Sequence, residues 1–209
     1  MVVFLERGEV SRKTVMSFIF ALIVQTIRAM KEIKQCDLRV ILKEHHEMFK
    51  NLFKKTKDEE VVYAPMSGEK AALEDVPDPV FSEKMMGEGI AIIPNEGKVV
   101  APVQGEVVHV PDTLHAVGIK SEAGTELLIH IGLETVGLKG EGFTAKVKQG
   151  DKINVGDELI SFDLDYIKEH ADAIITPIVW TNGQDSDKQL SPTEETKVTA
   201  GETVILTIS

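Results

Sequence analysis

The stretch Thr125-Glu126-Leu127-Leu128-Ile129-His130-Ile131-Gly132 decides how this chain is interpreted. Its apolar residues predict a buried β-strand that ends by presenting one imidazole, that of His130. Gly132 lacks a Cβ, so backbone carbonyls or a partner protein can come close to the ring. A neutral imidazole offers one lone pair as a nucleophile or metal ligand, and its pKa near 6.5 lets it change charge around neutral pH.

A second histidine stands in a similar setting fifteen residues earlier, in Asp112-Thr113-Leu114-His115-Ala116-Val117-Gly118-Ile119. His115 lies beside the hydroxyl of Thr113 and also leads into an apolar run. A single histidine in an apolar strand is usually a core residue with both nitrogens hydrogen-bonded. The second one favours a functional pair, and we expect His115 and His130 to face one another.

These motifs resemble the glucose-type IIA component of the bacterial sugar phosphotransferase system. The resemblance covers about residues 48–209 and includes many motifs in order. They are Ala64-Pro65-Met66-Ser67-Gly68, Glu74-Asp75-Val76-Pro77-Asp78-Pro79-Val80-Phe81, Thr113-Leu114-His115-Ala116, Leu128-Ile129-His130-Ile131-Gly132-Leu133-Glu134-Thr135-Val136, Leu138-Lys139-Gly140-Glu141-Gly142-Phe143, Gly150-Asp151, Val155-Gly156-Asp157 and Phe162-Asp163-Leu164.

The resemblance implies a phosphocarrier. His130 would accept a phosphoryl group from phospho-HPr and pass it to a cysteine on the IIB domain of a sugar permease. His115 would contact the phosphoryl group, and Thr113 would orient His115. Phosphoryl transfer depends on positioning and on stabilising charge, which imidazoles and backbone N–H groups can supply without a cofactor. The chain has no GxxxxGK[ST] phosphate loop.

From residue 61 onward the chain predicts an all-β fold. Short runs rich in Val and Ile alternate with Gly, Pro and Asp, a pattern typical of an antiparallel β-sandwich or barrel. Helix is scarce: we expect a short one over 78–84 behind Pro77, and another over 164–171 with Asp163 as its N-cap. The predicted strands are 61–63, 90–93, 99–100, 105–110, 116–119, 126–131, 158–162, 174–180 and 203–208.

Two internal echoes indicate a duplicated β unit. The motif Ala64-Pro65-x-x-Gly68 recurs as Ala101-Pro102-x-x-Gly105, and Val155-Gly156-Asp157-Glu158 is similar to Ala200-Gly201-Glu202-Thr203. The resemblance likewise implies a sandwich of pseudo-duplicated halves. We interpret His109, at the end of a predicted strand, as structural or exposed, and His170, on the second helix, as exposed.

The chain divides into three predicted parts. Residues 1–47 form an extension of different composition, and Met48 is our hypothesis for the natural start. Residues 48–60 are a flexible lead-in whose Phe49, Leu52 and Phe53 share one helical face, so a weak membrane-surface helix is an alternative to a disordered tail. Residues 61–209 form the IIA domain.

Composition restricts the classes of function. The net charge of −11 argues against nucleic-acid binding. The single cysteine, Cys36, rules out a disulfide framework and suits a reducing compartment, so we expect a cytoplasmic protein. It lies outside the IIA domain, so the acceptor cysteine must belong to another chain. Any membrane contact would run through the permease or the N-terminal helix.

The resemblance also implies a docking surface for HPr and the IIB domain. It would be an apolar rim around His130 with acidic neighbours, and methionines would let it adapt to several partners. Leu128 and Pro111 stand where aromatic residues are often found in the family, which should alter partner affinity more than chemistry. The predicted rim consists of Val80, Phe81, Met85, Met86, Leu128 and Val136, with Asp78 and Glu134 as the acidic residues.

Three alternatives stay open. A catalytic zinc site normally needs three protein ligands, and no third ligand or H-x-H pair accompanies His115 and His130. Transfer should need no cofactor, although weak zinc binding shared with a partner carboxylate is a second option. A biotinyl or lipoyl carrier would need an attachment turn that is missing. A non-catalytic regulator, which binds permeases or metabolic enzymes when unphosphorylated, would use the same surface.

Overall fold

The computed structural model describes residues 59–209. The predictions for residues 1–47 and for the lead-in with Phe49, Leu52 and Phe53 lie outside the described residues. Within the described range, no helix combines the length and apolar character that a membrane span requires.

The described residues form strands and two short α-helices. The helices are α1 (Pro79–Ser82) and α2 (Leu164–His170), and 3-10 turns occupy Leu73–Asp75, Thr135–Leu138 and Gly183–Asp185. The strands are β1 (Glu60–Tyr63), β2 (Gly68–Ala72), β3 (Glu88–Pro94), β4 (Lys98–Val100), β5 (Gly105–His109), β6 (Ala116–Ser121), β7 (Glu126–His130), β8 (Phe143–Ala145), β9 (Lys152–Ile153), β10 (Glu158–Phe162), β11 (Thr176–Trp180), β12 (Leu190–Pro192), β13 (Lys197–Val198) and β14 (Val204–Ile208).

All strand pairs are antiparallel, which confirms the predicted β-sandwich. One large sheet has the order β13-β2-β3-β11-β7-β6-β5-β9. Two three-stranded sheets have the orders β1-β14-β12 and β4-β10-β8. Strand β7, which carries His130, therefore lies at the centre of the large sheet, between β11 and β6.

The two copies of the Ala-Pro-x-x-Gly motif contact each other directly. The N–H of Tyr63 donates to the carbonyl of Pro102 at 2.9 Å, and the N–H of Val100 donates to the carbonyl of Pro65 at 2.7 Å. Each half also adds a short edge strand in the same way: Gly68 of β2 pairs with Val198, and Gly105 of β5 pairs with Ile153. These matched contacts confirm the duplicated halves.

Glycine is required at the equivalent position of both halves. A Cβ on Gly68 would lie 2.1 Å from the carbonyl oxygen of Ile93, and one on Gly105 would lie 2.1 Å from that of Lys120. Real Cβ atoms do not approach backbone oxygens so closely. The close approach of neighbouring strands therefore explains why both echoes end in glycine.

The large sheet buries side chains on both faces. Alternate residues of β3 show this: Ile90 and Ile92 belong to the main core, whereas Ala91 belongs to a second cluster. That second cluster forms where residues 73–82 fold over the other face of the sheet. It consists of Leu73, Val76, Phe81, Ala91, Leu133, Ile175 and Val179.

Several predicted boundaries were wrong, for local physical reasons. The helix expected over 78–84 is confined to Pro79–Ser82, and Asp78 caps it by accepting a bond from the N–H of Val80 at 2.8 Å. The strand expected from residue 174 begins at Thr176. Strands β2, β8, β9, β12 and β13 were missed because they are short or polar and depend on pairing partners. The cap of α2 at Asp163 is confirmed, since its side chain accepts from Asp165 and Tyr166.

Two adjacent isoleucines on β3 test which face carries the main core. Ile92 is 0% exposed and Ile93 is 41% exposed. We expect Ile92→Ala to lower the free energy of unfolding by about 2–5 kcal/mol because it opens a cavity. Ile93→Ala, the matched control, should change it by less than about 0.5 kcal/mol. Urea denaturation measures both, and equal losses would contradict the assignment of faces.

Candidate active site

His130 is placed by the alternation of side chains along β7. Leu127 and Ile129 point into the main core, so Leu128 and His130 lie on the opposite face of the sheet, the face that residues 73–82 partly cover. Leu128 and His130 are both partly buried. The strand thus holds an imidazole on a rigid element at the border between core and surface.

The turn after β7 fixes which ring nitrogen is free. Nδ1 of His130 lies 2.8 Å from the carbonyl oxygen of Gly132. A carbonyl can only accept, so Nδ1 carries the hydrogen and Nε2 keeps the lone pair. Gly132 adopts φ +65°, and a Cβ there would lie 2.9 Å from the carbonyl oxygen of Ala173.

His115 faces His130, as the sequence predicted. Their ring centroids are 4.9 Å apart with the planes at 69°. The carbonyl of His115 accepts the N–H of Ile131 at 2.7 Å, which joins the two histidine segments through the backbone. Oγ1 of Thr113 lies 2.7 Å from Nδ1 of His115, so the predicted contact between Thr113 and His115 is present.

Leu114, between Thr113 and His115, has φ 54°. A non-glycine residue in this left-handed region costs about 1–3 kcal/mol. Its side chain packs partly against the main core. The chain therefore holds an unfavourable backbone conformation at the point where the threonine hydroxyl meets the imidazole.

The surroundings keep both imidazoles neutral at pH 7. Burial, together with the like charges of His130 and His109, lowers the pKa of His115 from 6.5 to about 4. Burial also lowers the pKa of His130, against the raising effects of the Gly132 hydrogen bond and of the charges on Asp78 and Glu134. A neutral His130 has the lone pair that a nucleophile requires.

Phe81 departs from the predicted rim. Its side chain is only 5% exposed, and its ring centroid lies 5.3 Å from that of His130 with the planes at 58°. The ring packs into the second core cluster because residues 73–82 fold onto the sheet. Phe81 therefore lies beneath the imidazole and supports it, and its ring offers little surface to a partner.

The other predicted apolar rim residues are accessible, and Leu128 is half-buried. Exposed fractions are 41% for Val80, 66% for Met85, 41% for Met86 and 52% for Val136. Soluble domains normally cover such large apolar side chains when they cluster. Met86 and Leu128 line one depression together with His130, and the charges of Asp78 and Glu134 act on its imidazole.

A depression of about 420 Å³ opens between His115, His130 and Leu128. His109 also lines it, opposite Gly118 on the neighbouring strand. His109, predicted to be structural or exposed, is exposed, but its place beside the histidine pair was not predicted. The alternation of side chains along β5 predicts which face His109 lies on. Its place next to His115 follows only from the pairing register of β5 with β6.

The described residues contain no group of three or more His, Cys, Asp or Glu side chains that could hold a metal ion. His115 and His130 can offer two nitrogen ligands, since each has its Nδ1 engaged by Thr113 or Gly132. A catalytic zinc site needs one more protein ligand than this pair supplies. The geometry suits a nucleophilic His130 with His115 as a second imidazole beside it.

Three comparisons relate the chain to known proteins. A family described as phosphoenolpyruvate-dependent sugar phosphotransferase system, EIIA 1, matches residues 60–186. The PTS system glucose-specific EIIA component of Halalkalibacterium halodurans is 56% identical over 173 residues, which cover 77% of this chain and 98% of that protein. The component of the same name from Staphylococcus epidermidis is 49% identical over 165 residues, covering 78% of this chain and 99% of that protein. The solved structure of glucose permease IIA from Mycoplasma capricolum matches with a TM-score of 0.68 and 36% identity, covering 73% of this chain and 97% of that one.

The lowered pKa of His115 predicts how stability depends on pH. Between pH 6.5 and about 4 the unfolded chain protonates this histidine while the folded protein keeps it neutral. Stability from this site should therefore be present above pH 6.5 and be lost as the pH falls toward 4. We expect His115→Gln to flatten that loss, measured as urea midpoints between pH 7 and 4.5. Parallel curves for the two proteins would contradict the prediction.

Proposed function

The chain belongs to the phosphoenolpyruvate-dependent sugar phosphotransferase system EIIA 1 family, and from that premise we propose that His130 is the residue on which this phosphocarrier takes up its phosphoryl group. The observation that carries the proposal is the bond between Nδ1 of His130 and Gly132, because it leaves the Nε2 lone pair free beside His115. The chain is a component that takes part in phosphoryl transfer during sugar uptake.

The donor is the phosphohistidine of phospho-HPr. Nε2 of His130 attacks phosphorus in line as the donor's N–P bond breaks, and the donor nitrogen keeps that electron pair. In the second step a IIB cysteine thiolate attacks the same phosphorus, and Nε2 recovers its lone pair. A glucose permease is the proposed acceptor, supported by relatives named glucose-specific EIIA component and by the similar glucose permease IIA structure.

His115 stabilises the charge that spreads over the equatorial oxygens. Oγ1 of Thr113 lies 2.7 Å from Nδ1 of His115, and a hydroxyl can donate or accept. When Thr113 donates, neutral His115 carries its hydrogen on Nε2 and can donate to a phosphoryl oxygen. A preorganised donor in a partly buried site needs no reorganisation during transfer, which is where its catalytic advantage comes from.

HPr and the IIB domain dock on the same surface in turn. Exposed Val80, Met85, Met86 and Val136 supply apolar contact around His130. Asp78 and Glu134 place negative charge beside it, which suits basic residues on a partner. Both encounters take place in the cytoplasm, where the single cysteine of the chain stays reduced.

No bound cofactor is needed for this transfer. Zinc at the Nε2 atoms of His115 and His130 would need the other tautomer of His115, in which its Nδ1 donates to Thr113. It would also need a further ligand, and a partner carboxylate would supply it. The regulatory alternative, in which the unphosphorylated protein inhibits a permease or metabolic enzyme, uses the same rim. It differs in one respect: such binding would survive the loss of the His130 imidazole, whereas phosphoryl transfer would not.

Intact-protein mass tests the carrier and its site. After incubation with phosphoenolpyruvate, enzyme I and HPr, the wild type should gain one acid-labile phosphoryl group, and His130→Gln should gain none. His115→Gln should still charge but should discharge to IIB at least about tenfold more slowly, because one charge-stabilising donor is gone. A wild type without added mass would exclude the carrier role, and a charged His130→Gln would exclude the assigned residue.

A second prediction concerns the docking rim. Replacing both Met85 and Val136 with Ser should raise the KM for phospho-HPr at least about fivefold, since truncating a buried anchor at an interface costs more than about 1 kcal/mol. Val155→Ser, in the turn after β9, removes another exposed apolar side chain (37% exposed) and should leave the KM unchanged. Equal effects from the two proteins would refute the location of the surface.

A further inference from the structure

The ladder between β7 and β11 is interrupted opposite His130. Val179 pairs with Leu128 and Ile178 pairs with Ile129, but pairing stops there, although β7 extends to His130 and β11 extends back to Thr176. The same register places Pro177 opposite His130. The N–H of Thr181 donates to the carbonyl of Glu126 at 2.9 Å, so alternate residues of β11 should donate to β7.

In a regular ladder the residue at position 177 would donate its N–H to the carbonyl of His130, but proline has no N–H. The ladder therefore supplies no hydrogen to that oxygen. Strand β11 has neighbours on both sides, β3 and β7, and proline is normally confined to edge strands. A proline at the centre of the large sheet, opposite the reactive residue, calls for a physical reason.

The side chain of Thr176 accepts the N–H of Gly132, which a continued ladder would have paired with a backbone carbonyl. This side chain is 0% exposed, and its Oγ1 accepts the N–H of Gly132 at 3.3 Å while donating to the carbonyl of Ile174 at 3.1 Å. The peptide of Gly132 is thus held by a side chain, outside the regular strand pattern. Thr135, also 0% exposed, holds the preceding carbonyl, that of Ile131, at 2.7 Å.

We propose that Thr176 and Pro177 are positioning residues for His130: together they end the ladder behind it, so that the carbonyl of Gly132 and the carbonyl of His130 itself are free to face the ring. The hydroxyl of Thr176 fixes the direction of the Gly132 peptide, and Pro177 keeps a competing N–H away from the His130 carbonyl. Neither residue needs to touch the phosphoryl group.

The electrostatics of the site agree with this arrangement. Burial is the largest influence on the pKa of His130 and lowers it, but the Gly132 carbonyl and the backbone of His130 both raise it. The Gly132 carbonyl oxygen, 2.8 Å from Nδ1, stabilises the hydrogen there. It would also stabilise the positive ring that forms while Nε2 bonds to phosphorus. The effect on rate rests on the proposed function; the effect on the tautomer does not.

The test compares Thr176→Val, which keeps the shape and loses the hydroxyl, with Thr176→Ser, which keeps the hydroxyl. The ¹⁵N shifts of the His130 ring are read at about pH 8, where imidazoles are neutral. Thr176→Val should raise the fraction with hydrogen on Nε2 and slow single-turnover phosphorylation by about five- to tenfold, the equivalent of one buried hydrogen bond. Thr176→Ser should restore the wild-type tautomer and rate.

Pro177→Val provides the second variant, because it adds a ladder donor and a residue that favours strands. It should slow phosphorylation to a similar extent while its thermal midpoint stays equal to or above that of wild type. A merely structural role would make rate and stability fall together. Wild-type ¹⁵N shifts in both Thr176→Val and Pro177→Val would overturn the proposal. If the wild type took up no phosphoryl group, the proposed function would fail, and the ¹⁵N shifts would still decide the positioning role.

Discussion

The hydrogen bond from Nδ1 of His130 to the carbonyl of Gly132 is the interaction on which the site depends. It determines which nitrogen can react. It requires a chain that turns immediately after β7, which only a left-handed glycine allows at this crowded position. The β-bridge between Leu133 and Ala173 holds this turn in place. The reactivity of Nε2 therefore depends on the backbone at the end of β7, at the Gly132 turn and at the bridge from Leu133 to Ala173.

Burial and charge act on the histidine pair in opposite directions. The apolar surroundings disfavour charged imidazoles, whereas Asp78 and Glu134 favour a positive His130. The result is a ring that is neutral before reaction and partly compensated once it bonds to phosphorus. No acidic side chain offsets the burial of His115, whose pKa falls to about 4. The two rings can thus hold different roles although their residue type is the same.

The parts of the fold that depend on local sequence pattern could be predicted from the sequence. Strand β10, Glu158–Phe162, matched its predicted bounds because its apolar residues and turn signals are local. The echoed Ala-Pro motifs disclosed the duplicated halves. Strand β2 escaped prediction because Glu69, Lys70 and its alanines have little strand propensity alone, and β3 supplies the pairing.

The site shows the same division. His115, His130 and the Thr113 contact follow from short motifs. The burial of Phe81 depends on how residues 73–82 fold onto the sheet, and the position of His109 depends on strand register; neither is encoded nearby. Pro177 stood unremarked inside a predicted strand, because its importance appears only when β7 lies beside it.

The pairing of β1 with β14 has a consequence for biosynthesis. Glu60 lies opposite Ile208, so the first strand of the domain pairs with its last. A ribosome delivers these two strands at different times, and the edge of β1 stays unpaired until β14 emerges. During that interval the nascent chain presents an unpaired strand to other polypeptides. The domain can close only after β14 has been synthesised, so chaperone protection during translation matters most for β1.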